Sequence, residues 1–167
     1  MSEKKNWYAL KIFYNKVFVF KELVEKDGME SYIAMHKSKP LVSSLMFIRC
    51  TEEYLKSLRE QHISEVIYYK RASYRGKQIV YVPAVIPEEQ MEVFRLATEE
   101  GCEFRLLGDI QNLDLKPGDR VRVIEGPLKG QEGYLKRIKK DRKFVITIGN
   151  IAAFTIEGIT YKMVEKL

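Results

Sequence analysis

Long hydrophobic runs are missing from this 167-residue chain. No apolar stretch approaches the roughly 20 residues a helix needs to cross a bilayer, and Lys4 and Lys5 lead into no signal-peptide core. A cytoplasmic protein with no membrane partner is the expectation. Cysteine is scarce: Cys50 and Cys102 stand far apart, which excludes a disulfide framework and fits no metal spacing, so reduced, partly buried thiols are expected. Histidine is equally scarce. His36 lies in a Lys/Ser loop and His62 at a helix end, neither with a cysteine or carboxylate at catalytic or ligand spacing, and surface histidines are expected. The stretch Gly126 to Gly130 lacks the spacing and the Lys-Ser/Thr ending of a phosphate loop. Glu88-Glu89 and Glu99-Glu100 mark the two ends of one helix, where the first pair suits the helix dipole rather than acid–base chemistry. Neither an enzyme nor a metal or other cofactor is expected.

What the chain does have is enough apolar content, 46%, to fill the cores of one medium domain and a small one. It also carries a net charge of +6, of which +5 falls after residue 112. Lys136, Arg137, Lys139, Lys140, Arg142 and Lys143 cluster at an expected hairpin, either as a solvated tip or as a contact for nucleic acid or the ribosome.

Residues 6–13 read as an aromatic-rich strand, and Val17, Phe20 and Val24 recur at helical spacing between Lys16 and Lys26. Asn15 is the expected N-cap and Gly28 the stop. A short strand over 29–35, a polar loop and a buried strand over 44–50 follow, and Thr51 caps a helix through Arg59. Val66–Tyr69 is a strand, residues 70–77 a basic hairpin loop, and Gln78–Val82 its return. Pro87, Glu88 and Glu89 open a third helix that ends near Gly101. Helices interleaved with strands predict an α+β fold, an α/β sandwich with helices on a mostly antiparallel sheet.

In the last third, Val121, Val123, Leu135 and Ile138 take strand spacing, while Gly126, Pro127, Gly130 and Gly133 sit where the chain must bend or be closely approached. Together with Gly118, Asp119 and Lys129, these residues resemble a KOW motif. That resemblance implies a small SH3-like β-barrel of the kind found in transcription elongation factors and ribosomal proteins.

The N-terminal part resembles the NusG N-terminal domain. Trp7-Tyr8-Ala9-Leu10 opens as its first strand, a helix ends at Gly28, Pro40 to Phe47 form the next loop and strand, and Val82-Pro83 and Ile86-Pro87 lead into the last helix. The whole chain is thus similar to the NusG/RfaH family of elongation and antitermination factors. It looks most like the UpxY-type specialised paralogs of capsule polysaccharide operons, with a polymerase-binding domain over 1–100, a linker over 101–114 and a KOW barrel over 115–167. The linker contains Phe104, Leu106, Leu107 and Ile110 and is not a plain tether in composition.

The resemblance implies a monomeric, non-enzymatic factor whose N-terminal domain docks an apolar depression on the clamp helices of RNA polymerase and suppresses pausing or termination. By position the docking residues are Phe13, Tyr14, Leu41, Val42 and Leu45, with ordinary core the competing reading for Phe13. The family's aromatic-Pro-Gly-Tyr run is replaced by Leu41-Val42-Ser43-Ser44-Leu45. Phe18 and Val19 either thicken the core or widen the docking patch.

Lys70, Arg71, Tyr74, Arg75 and Lys77 combine cations with an aromatic ring, a composition suited to holding phosphates while stacking an unpaired base. A solvated hairpin is the alternative; if the loop binds, non-template DNA and nascent RNA are the candidates, and Lys11, Lys16 and Arg49 are possible additions to that surface. In the barrel, the resemblance puts a partner surface for ribosomal protein S10 at Leu128, expected to be exposed, and at Ile151, with Lys139 and Lys140 nearby. A general NusG-type elongation factor and a ribosome-associated KOW RNA-binding protein are the alternative functions.

Overall fold

The computed structural model describes residues 4–100, 102–109, 119–138, 141–149 and 152–167. The chain divides into two compact units, Met1–Glu88 and Glu89–Leu167. No helix among the described residues is long and apolar enough to cross a membrane.

The first unit is built on a four-stranded antiparallel sheet. Strand β1 (Asn6–Ile12) runs up its middle, followed by helix α1 (Val17–Lys26), β2 (Glu30–Tyr32), a small β3 (Met35–His36) and β4 (Lys39–Pro40) pair, and β5 (Leu45–Cys50). Helix α2 (Glu52–Gln61) and strand β6 (Val66–Tyr68) complete it, in the order β2-β5-β1-β6. Alternation on β1 turns Tyr8, Leu10 and Ile12 to one face, where they meet Val17, Phe20 and Val24 of α1 and Leu55 and Leu58 of α2. Thr51 caps α2 as its sequence position predicts, its hydroxyl accepting the Tyr54 N–H at 3.1 Å. Gly28 ends α1 at φ +81°.

Two local expectations are corrected. Asn15 is not a helix cap: it and Tyr14 both take positive φ, +55° and +62°, in a tight turn, so Lys16 occupies the cap position with no side-chain bond. The basic segment after β6 is not a loop. Lys70–Arg75 is strand β7, paired residue for residue with β8 (Gln78–Pro83), and only Gly76 and Lys77 turn the chain. Gly76 has φ +63°, the left-handed geometry a two-residue hairpin turn requires. The ribbon is a separate two-stranded sheet.

The second unit takes in all but the first residue of helix α3 (Glu88–Glu99) and a six-stranded antiparallel sheet ordered β14-β10-β11-β12-β13-β9. Its strands are β9 (Phe104–Asp109), β10 (Asp119–Val123), β11 (Glu132–Ile138), β12 (Asp141–Ile148), β13 (Ala152–Ile156) and β14 (Val164–Lys166), with a 3-10 turn at Tyr161–Met163 leading into β14. β9 and β14 stand at opposite edges, so among the described strands the sheet is open, and closure into a barrel is not seen. β9 falls inside the expected linker: Phe104 registers with Ile156 and Arg105 with Thr155, and the segment extends the sheet. Phe94 of α3 packs on Phe154, ring centroids 5.0 Å apart, within a core that includes Phe144 and Ile146.

Gly133 is a position that only glycine fits. A Cβ there would lie 2.6 Å from the Phe144 ring and 2.9 Å from the Val145 carbonyl oxygen.

Candidate functional site

The loop between β4 and β5 is fastened to the end of β1 by a backbone hydrogen bond from Ile12, and is tied to the β2–β3 connection and within itself by two more. The Ile12 N–H donates to the Ser44 carbonyl at 2.8 Å, Leu41 N–H to the Ala34 carbonyl at 2.7 Å, and Leu45 N–H to the Val42 carbonyl at 3.1 Å. Phe13 and Tyr14 continue from that same end of β1, with the Phe13 N–H donating to Glu65 at 2.9 Å. The five residues assigned by sequence to one docking surface, Phe13, Tyr14, Leu41, Val42 and Leu45, are therefore gathered at one end of the sheet.

Their exposure is graded. Tyr14 is 73% exposed, while Phe13, Leu41, Val42 and Leu45 are half-buried. Leu45 stands opposite Lys11, which stands opposite Ile67 of β6, so these three form one row across the sheet on the face away from the helices. Phe13 lies two residues beyond Lys11 on the same side, and the Lys11 ammonium sits 5.4 Å from its ring centroid. Phe18 and Val19 do not thicken the core, since they are 51% and 59% exposed on the outer side of α1. Ile67 belongs to this end too and escaped the sequence reading; its alternation with buried Val66 was the available signal.

Most nearby cations are already committed. Lys16 pairs with Glu65, and that hydrogen bond holds the Glu65 carboxyl below its ordinary value. Arg49 pairs with Glu88 at 3.1 Å and with Glu30 at 3.8 Å. Lys11, exposed beside Phe13, is the one of the three that keeps a place at the patch. His62 is not a free surface histidine: its ring meets Phe20 edge-on at 4.9 Å, and Nδ1 lies 3.9 Å from Glu65.

On the ribbon, the residues expected to act together are separated. Residues opposite one another share a face and neighbours along a strand do not. Tyr74 pairs with Ile79, and Ala72 with Tyr81, so both tyrosines and Ile79 occupy one face; their exposures are 74%, 67% and 53%. Arg71 and Arg75, opposite Val82 and Gln78, occupy the reverse face. The single site of a ring flanked by cations is thus corrected to a two-sided arm, with both tyrosines and, at the base, Lys70 on one side and both arginines on the other. Lys77 lies in the turn at its tip, and Lys70 at its base has its ammonium 5.2 Å from the Tyr68 ring centroid.

Leu128 is a further correction. It is fully buried rather than exposed, because the 126–131 turn closes on itself. Lys129 N–H donates to Gly126, Gln131 N–H to Leu128 and Gly130 N–H to Val123, which folds the Leu128 side chain inward. Ile151, Lys139 and Lys140 lie outside the described residues.

Both cysteines fit the sequence reading, as free thiols with Cys50 buried and Cys102 partly so; burial pushes the Cys50 thiol up to about 12. Among the described residues no group of three or more His, Cys, Asp or Glu is placed to hold a metal ion.

Residues 117–147 match the KOW motif. Among solved structures the chain is similar to NusG of Thermotoga maritima, in a structure concerned with domain interaction in that protein, at 24% identity over 98% of each chain with a TM-score of 0.47. It is also similar to a chain of an MjSpt4:Spt5 complex, at 17% identity over 96% of each chain with a TM-score of 0.32. No sequence match to a curated protein was found.

Proposed function

We propose that this chain is a NusG-like transcription elongation and antitermination factor that docks on the clamp helices of RNA polymerase through the end of its N-terminal sheet. The observation that carries this reading is the gathering of Phe13, Tyr14, Leu41, Val42 and Leu45 at one sheet end, in a chain that also bears a KOW motif. A graded surface of this kind, half-buried aliphatic residues beside an exposed tyrosine, suits a helix tip set into an apolar depression. Held there, the factor would keep the clamp closed and suppress pausing or termination. Phe18 and Val19 extend the contact.

In the same reading, residues 1–100 form the polymerase-binding domain, 101–114 connect it, and 115–167 form a KOW domain of SH3-like barrel type that offers a surface to ribosomal protein S10. The β7–β8 ribbon reaches non-template DNA or nascent RNA. The replaced 41–45 loop and the basic ribbon support a specialised, UpxY-type factor acting as a monomer on long operons such as those for capsule polysaccharide.

The test is capture of core RNA polymerase by the wild-type protein and by a Tyr14→Ala/Leu41→Ala/Val42→Ser variant with unchanged circular dichroism. Capture by wild type and a loss of tenfold or more in the variant is expected, since truncating a few central residues of an interface costs on the order of 1–2 kcal/mol each. A folded wild-type protein that leaves polymerase unbound would sink the reading and favour a ribosome-associated RNA-binding role. Equal antitermination on unrelated templates would favour a general elongation factor.

A further inference from the structure

Several cations of the sheet in the C-terminal unit are neutralised by carboxylates on neighbouring strands or turns. Arg120 and Arg122 on β10 pair with Glu132 at 3.3 and 3.4 Å, Arg122 also with Glu165 at 3.2 Å, and Lys143 on β12 with Glu157 at 3.0 Å. Arg137 and Arg142 stand directly opposite each other across β11 and β12. Both are exposed, and neither has a carboxylate partner among the described residues. Like charges directly opposite in a sheet destabilise it, so this row is costly until something negative bridges it.

The row also has a definite place. Leu135 and Phe144 form the core-facing pair two residues back along each strand, so Arg137 and Arg142 continue that face beyond the end of the core. There Arg142, together with the mutually paired Lys143 and Glu157, lines an open cleft of about 650 Å³ whose rim includes Gly158, Thr160 and Tyr161, all exposed, with buried Ile156 as part of its floor; Arg137 is not in the lining but stands next to Arg142 across the strand pair. Tyr161 is 60% exposed, and the Lys162 ammonium lies 6.0 Å from its ring centroid.

We propose that this cleft binds a single-stranded polynucleotide, with Arg137 and Arg142 holding backbone phosphate and Tyr161 stacking a base. Guanidinium forks match phosphate oxygens bidentately, which suits a pair of them to bridging an anion. An exposed aromatic ring beside cations is the surface on which unpaired bases stack. A cleft of this volume accommodates a nucleotide unit, and its solvent-exposed rim lets a strand continue past it. The site is distinct from the ribbon and needs no polymerase.

The test is fluorescence anisotropy of the full chain with labelled oligouridine and oligothymidine of roughly twelve nucleotides, on wild type and on Arg137→Gln/Arg142→Gln, Tyr161→Ala and Arg71→Gln/Arg75→Gln variants. The first variant should bind both oligonucleotides at least tenfold more weakly. Its salt dependence should be shallower by about 1.4 in log–log slope, the value for two lost phosphate contacts. Tyr161→Ala should lose about fivefold or more. Tighter binding of oligouridine would add a ribose contact, and equal binding would assign phosphate and base alone; both uphold the site. No binding by wild type, binding by the folded Arg137/Arg142 variant within twofold of wild type, or a loss confined to the ribbon variant would overturn it. Polymerase capture by the Arg137→Gln/Arg142→Gln variant tests docking separately, because none of these residues lies on the docking patch.

Discussion

At the scale of single residues, the positions that matter most are those where backbone geometry or close approach leaves little choice. Tyr14 and Asn15 hold left-handed φ angles that side chains other than glycine adopt at some cost, and they hold them beside the patch assigned to docking. A polar residue before a helical run reads as a cap, and nothing in the composition of Phe13-Tyr14-Asn15-Lys16 signals two consecutive positive φ values. Leu128 was misjudged for a related reason: a residue after Gly-Pro reads as a surface turn, whereas three backbone hydrogen bonds curl this turn inward. Gly133 makes the packing argument sharply. Gly133→Ala would push a methyl group into the Phe144 ring and the Val145 carbonyl, and Phe144 is fully buried, so the ring has little room to retreat. Overpacking of this kind costs about 1–3 kcal/mol. Chemical denaturation followed by circular dichroism should show a lower midpoint with an unchanged slope for that variant, and an unchanged midpoint would mean that the ring moves aside freely.

At the scale of elements, what was legible was periodic. The helices at 17–26, 52–61 and 88–99 and the strands β1 and β5 follow from apolar spacing, and the Thr51 cap from its place before an acidic first turn. The ribbon was not legible as strands because Lys70–Arg75 has no apolar alternation: with both faces exposed, there is no buried side for the sequence to record. The same lack of burial sets its stability. A two-stranded hairpin is marginal by itself in water, and this one is tied to the sheet at its base through Tyr69 N–H to Ala9 at 3.1 Å and Ala84 N–H to Tyr69 at 2.9 Å. Amides of the ribbon's distal pairs, Ser73–Val80 and Tyr74–Ile79, should therefore exchange with deuterium well before those of Leu10 and Met46 in the central sheet. Hydrogen exchange read by NMR or mass spectrometry checks this; equal protection would mean that the arm is held by more than its own ladder. With two tyrosines on one face and two arginines on the other, the arm presents ring and guanidinium chemistry on opposite sides, which a single loop site would not.

At the scale of the whole molecule, the two surfaces lie in different units of the chain, the apolar patch in Met1–Glu88 and the arginine row in Glu89–Leu167. Net charge does not follow that division: the +5 that falls after residue 112 is offset by the acidic stretch 89–112, so Met1–Glu88 carries +5 and Glu89–Leu167 +1. Composition located the basic stretch after residue 112 but not its use, since Arg120, Arg122, Lys143 and Lys166 are spent on carboxylates and it is the register of β11 against β12 that sets Arg137 opposite Arg142. Two contacts of different chemistry on separate units should respond independently to substitution, as sites without shared partners do to within about 0.5 kcal/mol. The Tyr14→Ala/Leu41→Ala/Val42→Ser variant is therefore expected to lose polymerase capture while its affinity for oligouridine stays within about twofold of wild type. The Arg137→Gln/Arg142→Gln variant should show the reverse. Raising salt should weaken oligonucleotide binding steeply and polymerase capture much less, because counterion release governs the first and burial of apolar surface the second. Measuring both activities on both variants at two salt concentrations separates the surfaces, and loss of both activities in either variant would show that a single surface serves both partners.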